Sequence, residues 1–157
     1  MRDISSVAEF RDFMRHLPGA NDSAGQAAAE RNGQLTKPPG ALGDLEELAI
    51  WYARWSGQAQ PCIEAPQVVI FAGNHGVAAA GVSAFPSEVT QQMVYNFQAG
   101  GAAINQISKT FGAKMDVVAL ELDRPTQDFT QGPAMTESDL LSALQTGWRA
   151  VDPQGDL

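Results

Sequence analysis

The stretch QVVIFAGNHG, residues 67–76, decides the fold, because it changes from an apolar run to glycines and polar residues within ten positions. Its first half is apolar and β-branched, as buried strands are, and a glycine ends the run. A second run of this type, MDVVALEL, follows at residues 115–122, with helical patterns between the two. Two strands joined by a long helical connection pair in parallel, so the sequence predicts an α/β fold with a parallel strand pair.

Helical patterns fill the connection between these strands and also follow the second one. The first helix begins at Ser87 or Glu88, and the next lies within GAAINQISKTFGA, residues 101–113. The last helix has Thr136 or Ser138 as its N-cap and carries acids in its first turn, where the helix dipole favours them. The region after residue 66 is therefore predicted to be one α/β layer.

Three helical patterns precede the strands, at residues 4–16, 22–31 and 42–55. The apolar side of the third is predicted to consist of Leu45, Leu48, Ala49, Tyr52 and Trp55. Residues 57–66 contain Gly, Gln and Pro, and are predicted to be a linker. The predicted organisation is a helical segment at 1–56, this linker, and an α/β domain from 67 to 157.

The composition narrows the class of protein. Ten Lys and Arg against eighteen Asp and Glu give a net charge of -8, which opposes binding to nucleic acid or to an anionic membrane surface. The single cysteine, Cys62, excludes an internal disulfide framework. No segment approaches about 18 uninterrupted apolar residues, and the N-terminal residues lack the apolar core of a signal peptide. We therefore expect a soluble, cytoplasmic protein.

Asn74 and His75 are the first candidate site residues, because they follow the first strand at its carboxyl end. Ligands of parallel sheets bind at that edge. Gly73 and Gly76 would let the backbone approach a ligand, while Asn and His side chains fix planar heterocycles by hydrogen bonds. The alternative is structural: Asn74 tolerates a left-handed turn and His75 satisfies a loop carbonyl. Spacing alone slightly favours the structural alternative.

Other chemistry finds less support in the sequence. His16 is the only other histidine and has no cysteine or close carboxylate beside it, so no metal site and no cofactor are predicted. Ser83 and Ser87 lie near His75, but no nucleophile-elbow motif surrounds them, and loop or cap roles are favoured.

Two positions have the chemistry to contact an anion. The glycine-rich turn AGGAAINQ, residues 99–106, could present backbone N–H groups to a phosphate, although close packing of two helices is the favoured use. Lys37, before the double proline, has the charge for the same role, but most single lysines are solvated.

Glu88 and Glu121 are the acids nearest the candidate pocket. A glutamate in the first turn of a helix usually complements the dipole, and Glu121 is kept as a polar contact at the end of the second strand. The aromatic stripe of Trp51, Tyr52 and Trp55 is interpreted as core or as an interface between helices.

Four blocks in order carry a resemblance to a known family: LTKPPGALGDLEELA, FAGNHGVAAAGVSAFPSEVTQQMVYNF, GGAAINQISKTFGA and GPAMT. Together they closely resemble the nicotinate-nucleotide:dimethylbenzimidazole phosphoribosyltransferases, from about residue 34 to the last residue. The resemblance implies transfer of the phosphoribosyl group of nicotinate mononucleotide to 5,6-dimethylbenzimidazole, giving α-ribazole 5'-phosphate and nicotinate in cobalamin biosynthesis. It also implies a Rossmann-like α/β domain with a small helical domain, usually in a homodimer.

The resemblance assigns a substrate-binding wall, made of Asn74, His75, Ser83, Phe85, Pro86 and Met93. Phe85, Pro86 and Met93 match positions expected to touch the base. Asn74 stands where many relatives have Asp, Phe85 where some have a small polar residue, and Ala41 departs from the commoner KPPGSLG. The first two departures concern which base is preferred.

The family's catalytic glutamate and its Gly-Glu motif for nicotinate mononucleotide match no residue up to 157, so no catalytic residue is assigned. We therefore expect this chain to be the N-terminal half, inactive alone and prone to self-association. Two alternatives are a truncated homologue that binds an aromatic heterocycle without catalysis, and an assembly domain without a ligand.

Overall fold

The computed structural model describes residues 4–151. In chain order its elements are α1 Val7–Arg15, α2 Asp22–Gly33, α3 Asp44–Ser56, β1 Gln67–Gly73, a 3-10 turn Gly76–Ala80, α4 Glu88–Gln98, α5 Ala103–Thr110, β2 Lys114–Leu120 and α6 Glu137–Ala150. These described residues divide into two compact units, one made of residues 14–63 and the other of residues 4–13 and 64–151.

The unit of residues 14–63 is a pair of helices, α2 and α3. Asn21 caps α2 with its side-chain oxygen, which accepts from the Ala24 backbone N–H at 3.0 Å. The helices approach closely because small residues meet: Ala53 is fully buried, and a Cβ at Gly25 would lie 2.1 Å from Cγ of Arg54. The predicted helices at 22–31 and 42–55 therefore exist with shifted ends.

The predicted apolar side of α3 does not form a core within this unit. Leu45, Leu48 and Trp55 are exposed, as is Trp51 of the aromatic stripe, and 56% of the Trp55 surface remains accessible. The residues that are buried in this helix pair are small: Ala24 and Gly25 of α2 and Ala53 of α3. Of the two interpretations of the aromatic stripe, core or interface between helices, burial in a core is not seen within this unit.

The second unit contains the sheet, and the predicted parallel pair is confirmed. β1 pairs with β2 in parallel along its whole length, from Gln67 opposite Lys114 to Gly73 opposite Leu120. The fold is thus mixed α/β, with a two-stranded parallel sheet among the described residues. Both strands end at the same edge of the sheet, so the residues after Gly73 and Leu120 are brought together.

Helix α4 covers the sheet and makes its core. Val94 on α4 is buried with Ala72 of β1 and Leu122, and Val117 of β2 packs against this cluster. The helices α4 and α5 both contact β2. Thr136 precedes helix α6 and caps it: its hydroxyl accepts from the Asp139 N–H at 3.2 Å, so Thr136 rather than Ser138 is the N-cap.

Helix α1 up to Phe13 belongs to the unit that contains the sheet. Phe13 meets Trp148 of α6 edge to face at 5.0 Å between ring centroids, and Gln145 Nε2 donates to the Ile4 carbonyl at 2.6 Å. This division differs from the predicted one, which places residues 1–56 in a single helical segment, because the apolar side of α1 packs on α6. The boundary between residues 63 and 64 falls inside the predicted linker.

Candidate active site at the carboxyl edge of the sheet

Asn74 joins the ends of the two strands. It directly follows β1, and its Nδ2 donates to the Leu122 carbonyl at 2.9 Å. Its φ is not positive, since Glu121 is the only non-glycine residue with positive φ among the described residues. Asn74 therefore does not use the left-handed conformation that the structural alternative required, and its side chain works as a bridge across the sheet edge.

His75 lies beside Thr126, a residue far away in sequence. The two residues form an isolated parallel β-bridge, and His75 Nδ1 lies 3.5 Å from Thr126 Oγ1. The backbone is tied on both sides of His75: Thr126 N–H donates to the Asn74 carbonyl at 3.1 Å, and Gly76 N–H donates to the Thr126 carbonyl at 2.9 Å. The ring itself is exposed, so it faces solvent from a fixed backbone.

Gly76 is required by the protein backbone. A Cβ at this position would lie 2.5 Å from the Thr126 carbonyl oxygen and 2.7 Å from the Asp128 nitrogen. Gly73, in contrast, has only an ordinary contact, 3.9 Å from Cβ of Leu120. The expectation that Gly76 opens room for a ligand is corrected, because that room is filled by residues 126–128.

Of the other predicted wall residues, Ser83, Phe85 and Pro86 lie between the 3-10 turn and α4, and Met93 lies within α4. The Ser83 hydroxyl donates to the Phe85 carbonyl at 2.9 Å and accepts from the Phe85 N–H, so it shapes the turn. The Pro86 carbonyl accepts from the Val89 N–H at the start of α4. Phe85 is 69% exposed and Met93 38% exposed. Within the described chain, no hydrogen bond links this group to Asn74 or His75.

A charged cluster occupies the same edge. Arg124 pairs with Glu121 and, at 3.0 Å, with Asp139 of α6. The pKa of Asp139 is lowered, first by the Thr136 hydroxyl and then by Arg124, while the two carboxylates raise the pKa of Arg124. Glu121 has a φ of 43° and is held in this conformation beside its ion pair. Its carboxylate is thus already engaged by a cation.

Lys37, the lysine considered above as an anion contact, forms an ion pair within the unit of residues 14–63. Its Nζ lies 2.7 Å from Glu46 Oε1, and both side chains are mostly buried. Glu46 also accepts from Asn32 Nδ2 at 2.7 Å and from the Leu42 N–H at 3.1 Å. These hydrogen bonds, with Asn32 the strongest and Lys37 next, lower the pKa of Glu46 to about 2. The cluster closes the Pro-Pro-Gly turn.

The glycine-rich turn before α5 is likewise satisfied by the protein. Asn105 Oδ1 accepts from the Ala102 N–H at 3.0 Å, and its Nδ2 donates to the Phe97 carbonyl at 2.9 Å. A Cβ at Gly101 would lie 2.1 Å from Oδ1 of the Asn96 side chain, so the Asn96 side chain packs closely over this turn. This supports the packing interpretation of AGGAAINQ over phosphate binding.

A groove of about 490 Å³ lies between α1 and the N-terminal end of α6. It is lined by Val7, Arg11, Ala134, Met135, Thr136, Glu137 and Leu140. The predicted wall residues do not line it, although three of its lining residues belong to the GPAMT block. Among residues 4–151, no group of three or more His, Cys, Asp or Glu is placed to hold a metal ion. The helices in that range are also too short or too polar to cross a membrane.

Sequence patterns did not identify residues 122–128 as part of the carboxyl edge of the sheet. The Leu122 carbonyl and Thr126 contact the predicted pair, yet Leu122 was noted only as the last residue of the second apolar run, and Thr126 belongs to no recognised motif. The only available signal was the parallel pairing itself, which brings whatever follows the second strand next to whatever follows the first.

Comparison with known proteins identifies the family. A family model described as phosphoribosyltransferase matches residues 17–156. Curated proteins named nicotinate-nucleotide–dimethylbenzimidazole phosphoribosyltransferase are 68% identical over 154 residues in Ruegeria pomeroyi and 63% identical over 154 residues in Roseobacter denitrificans. Each alignment covers 98% of this chain and 46% of the relative, so the chain spans about half the length of these proteins.

Solved structures agree with the sequence comparison. A crystal structure of the Thermus thermophilus enzyme of the same name aligns with a TM-score of 0.72 and 39% identity, covering 83% of this chain and 44% of that one. Another structure, described as CobT from the same organism, gives a TM-score of 0.69 at 38% identity. The chain belongs to the nicotinate-nucleotide–dimethylbenzimidazole phosphoribosyltransferase family.

Proposed function

We propose that this chain supplies the base-binding wall of an enzyme that transfers the phosphoribosyl group of nicotinate mononucleotide to 5,6-dimethylbenzimidazole. The products are α-ribazole 5'-phosphate and nicotinate, in cobalamin biosynthesis. The observation that carries the proposal is the 68% identity to a relative of that name along 98% of this chain. The fold contributes the second support, because the carboxyl edge of a parallel sheet is where such a site is built.

The proposed wall combines polar and apolar side chains. Asn74 uses its Nδ2 on Leu122, which leaves its Oδ1 to accept a hydrogen bond, and His75 presents an exposed ring. Phe85 and Met93 stay accessible, so they are available to pack on a flat aromatic base. Ser83 shapes the turn that carries Phe85, and Pro86 precedes the start of α4. Apolar lining with a few polar groups is the usual composition of a site for a small heterocycle.

The chemistry needs more than this wall. Displacing nicotinate requires a base for the azole N–H proton and donors that hold the 5'-phosphate. Glu121 is already paired with Arg124, and Glu88 is an exposed residue in the first turn of α4. We therefore propose that residues 1–157 have negligible turnover by themselves and that the base and phosphate site belong to the remaining length seen in the relatives.

The finer features of the family are part of the proposal. We propose a Rossmann-like domain in a cytoplasmic homodimer, with no nucleic acid, membrane or cofactor involved. Exposed Leu45, Leu48 and Trp55 support association of this chain with itself, since contiguous exposed apolar side chains mark interaction surfaces.

Calorimetry with dimethylbenzimidazole and with nicotinate mononucleotide, each alone, tests the proposal. We expect weak binding of the base and none of the nucleotide. Phe85→Ala and Met93→Ala should each weaken base binding by up to about tenfold, since each removes apolar contact area. Val82→Ala is the matched control, because Val82 is exposed nearby and lies outside the proposed wall.

Two results would contradict this assignment. Tight nucleotide binding, or release of nicotinate, would mean that residues 1–157 contain a phosphate site. Unchanged base affinity in both variants would remove Phe85 and Met93 from the pocket.

A second candidate function is a binding domain for an aromatic heterocycle without catalysis. It is favoured by the ion pair between Glu121 and Arg124, which engages the acid that follows the second strand in a structural contact. Reading the coding sequence past codon 157 separates the two: the missing strand and Gly-Glu motif support the enzyme, and a stop codon supports the binding domain.

A further inference from the structure

Asn32 and Gly33 stand together at the end of helix α2, and they form the one Asn-Gly pair of the sequence. We propose that Asn32 is a modification site at which the side-chain amide is lost by deamidation, and that Glu46 of α3 protects it in the folded chain. The reaction consumes only water, so it is independent of the proposed function.

Deamidation begins with an attack of the backbone on the side chain. The Gly33 nitrogen gives its proton to hydroxide and forms a bond to Cγ of Asn32. The bond from Cγ to Nδ2 breaks, and Nδ2 leaves as ammonia with a proton from water. Water then opens the cyclic succinimide, which leaves aspartate or isoaspartate at position 32. A side chain on the attacking residue hinders this ring closure, and the other four asparagines of the sequence all precede residues with side chains.

The surroundings of Gly33 leave room for this reaction. Gly33 is exposed, and a Cβ there would meet nothing within 4 Å, so packing does not require glycine at this position. Asn32 is helical, and ring closure requires it to leave the helical backbone conformation. Because Gly33 is the last residue of α2 and helix ends fray, opening of this single turn admits the attack.

The hydrogen bond from Asn32 to Glu46 opposes this opening. Asn32 Nδ2 donates to Glu46 Oε2 at 2.7 Å, which joins α2 to α3. The donor and acceptor are unambiguous, because hydrogen bonds, first from Asn32 and then from Lys37, lower the pKa of Glu46 to about 2, and an ionised carboxylate only accepts. The carboxylate is itself held by Lys37 Nζ at 2.7 Å and by the Leu42 N–H at 3.1 Å. The amide must therefore leave a fixed charged partner before Cγ reaches the Gly33 nitrogen.

Deamidation replaces this donor by an acceptor. The new carboxylate at position 32 faces the carboxylate of Glu46, and at neutral pH neither group has a proton to donate. The contact becomes repulsive, and the pKa of Glu46 rises from about 2, because its largest lowering cause is lost and a like charge is added. Loss of one amide thus loosens the contact between α2 and α3 beside the Pro-Pro-Gly turn.

Peptide mass spectrometry of the full chain, incubated at mildly alkaline pH in buffer and in urea, tests the site. In buffer the wild type should be modified at Asn32 at least about tenfold more slowly than in urea, the factor of one hydrogen bond to a charged group. Glu46→Ala should lose this protection in buffer. Glu47→Ala, at an exposed neighbour on α3, is the matched control and should stay within about twofold of the wild type. Gly33→Ala, where the space is open, should slow modification in both solutions.

Distinct results overturn the two parts of the proposal. Equal wild-type rates in buffer and urea, or faster modification of another asparagine in urea, would overturn the site. Glu46→Ala that gives the amide NMR spectrum of a folded chain and is modified at the wild-type rate would overturn protection by Glu46. Asn32→Asp supplies the product directly and does not depend on the folding of Glu46→Ala. Carbon-13 NMR titration should show a raised pKa of Glu46 in Asn32→Asp, and an unshifted pKa would overturn the expected repulsion.

Discussion

Replacing Gly76 by alanine should loosen the carboxyl edge of the sheet. The added Cβ would lie 2.5 Å from the Thr126 oxygen, 2.7 Å from the Asp128 nitrogen and 2.8 Å from the Gln127 carbonyl carbon. All three are backbone atoms, so no flexible side chain can move aside. Restoring an ordinary contact requires residues 126–128 to move by about 0.6–0.9 Å, a typical response to overpacking.

That movement acts on two backbone hydrogen bonds. Two hydrogen bonds would lengthen with this movement. They join the Gly76 N–H to the Thr126 carbonyl at 2.9 Å and the Thr126 N–H to the Asn74 carbonyl at 3.1 Å, and a movement of this size takes them beyond the usual hydrogen-bond length. Losing both costs about 2 kcal/mol, at about 1 kcal/mol each. Because each 1.4 kcal/mol is a factor of ten in an equilibrium constant, hydrogen exchange at the amides of residues 76 and 126 should become about 30-fold faster.

Amide hydrogen exchange followed by NMR measures this directly, because it reports local opening residue by residue. Gly132→Ala is the matched control: Gly132 lies in the loop before α6 and a Cβ there meets nothing within 4 Å. It should leave exchange at residues 76 and 126 within about twofold of the wild type, as substitutions in open space usually do. Wild-type exchange rates in Gly76→Ala would refute the assignment of Gly76 to backbone contact.

Three further predictions concern stability and charge. Val94→Ala should lower the free energy of unfolding by about 2 kcal/mol, since it removes buried methyl groups and leaves a cavity; urea unfolding measures the loss, and Val82→Ala at an exposed site should show none. The lowered pKa of Glu46, about 2 against an ordinary 4.5, stabilises the fold above pH 4.5, and this contribution is lost as the pH falls towards 2. In Glu46→Gln this loss of unfolding free energy between pH 4.5 and pH 2 should disappear. Urea unfolding at several pH values measures it, and the same loss in Glu46→Gln as in the wild type would contradict the prediction. Thr136→Val should raise the pKa of Asp139 towards its ordinary 3.8, which carbon-13 NMR titration detects; an unshifted titration would remove the hydroxyl as the main cause.

The elements of the fold were predictable where local sequence patterns dominate. The strand QVVIFAG was predicted with its observed bounds, and the second strand began one residue earlier than expected. The caps and glycines placed the ends of α5 and α6 within a few residues, because those signals act on the adjacent backbone. Parallel pairing followed from the length of the connection, which no hairpin can have.

Contacts between distant residues could not be predicted in the same way. The face that α3 buries depends on what α2 offers, and a helix of Ala and Gly selects the small Ala53 instead of the large leucines and tryptophans. Lys37 illustrates the same limit, since its pairing with Glu46 depends on how the Pro-Pro-Gly turn folds back on α3. Periodicity identifies an apolar side, but the partner determines which side is buried.

The two interpretations of Asn74 and His75, as loop residues or as site residues, are compatible once the edge is described. The bond from Asn74 to Leu122 uses the amide nitrogen of Asn74, and the backbone bonds around Thr126 fix the main chain on both sides of His75. The His75 ring has its Nδ1 on the side of the Thr126 hydroxyl, 3.5 Å away. These contacts leave two groups without a partner from the sheet edge: Oδ1 of Asn74 and the Nε2 side of the His75 ring. Fixed polar groups bind a ligand at lower entropic cost than mobile ones, so the contacts that make this edge rigid would also favour the proposed binding of a heterocycle.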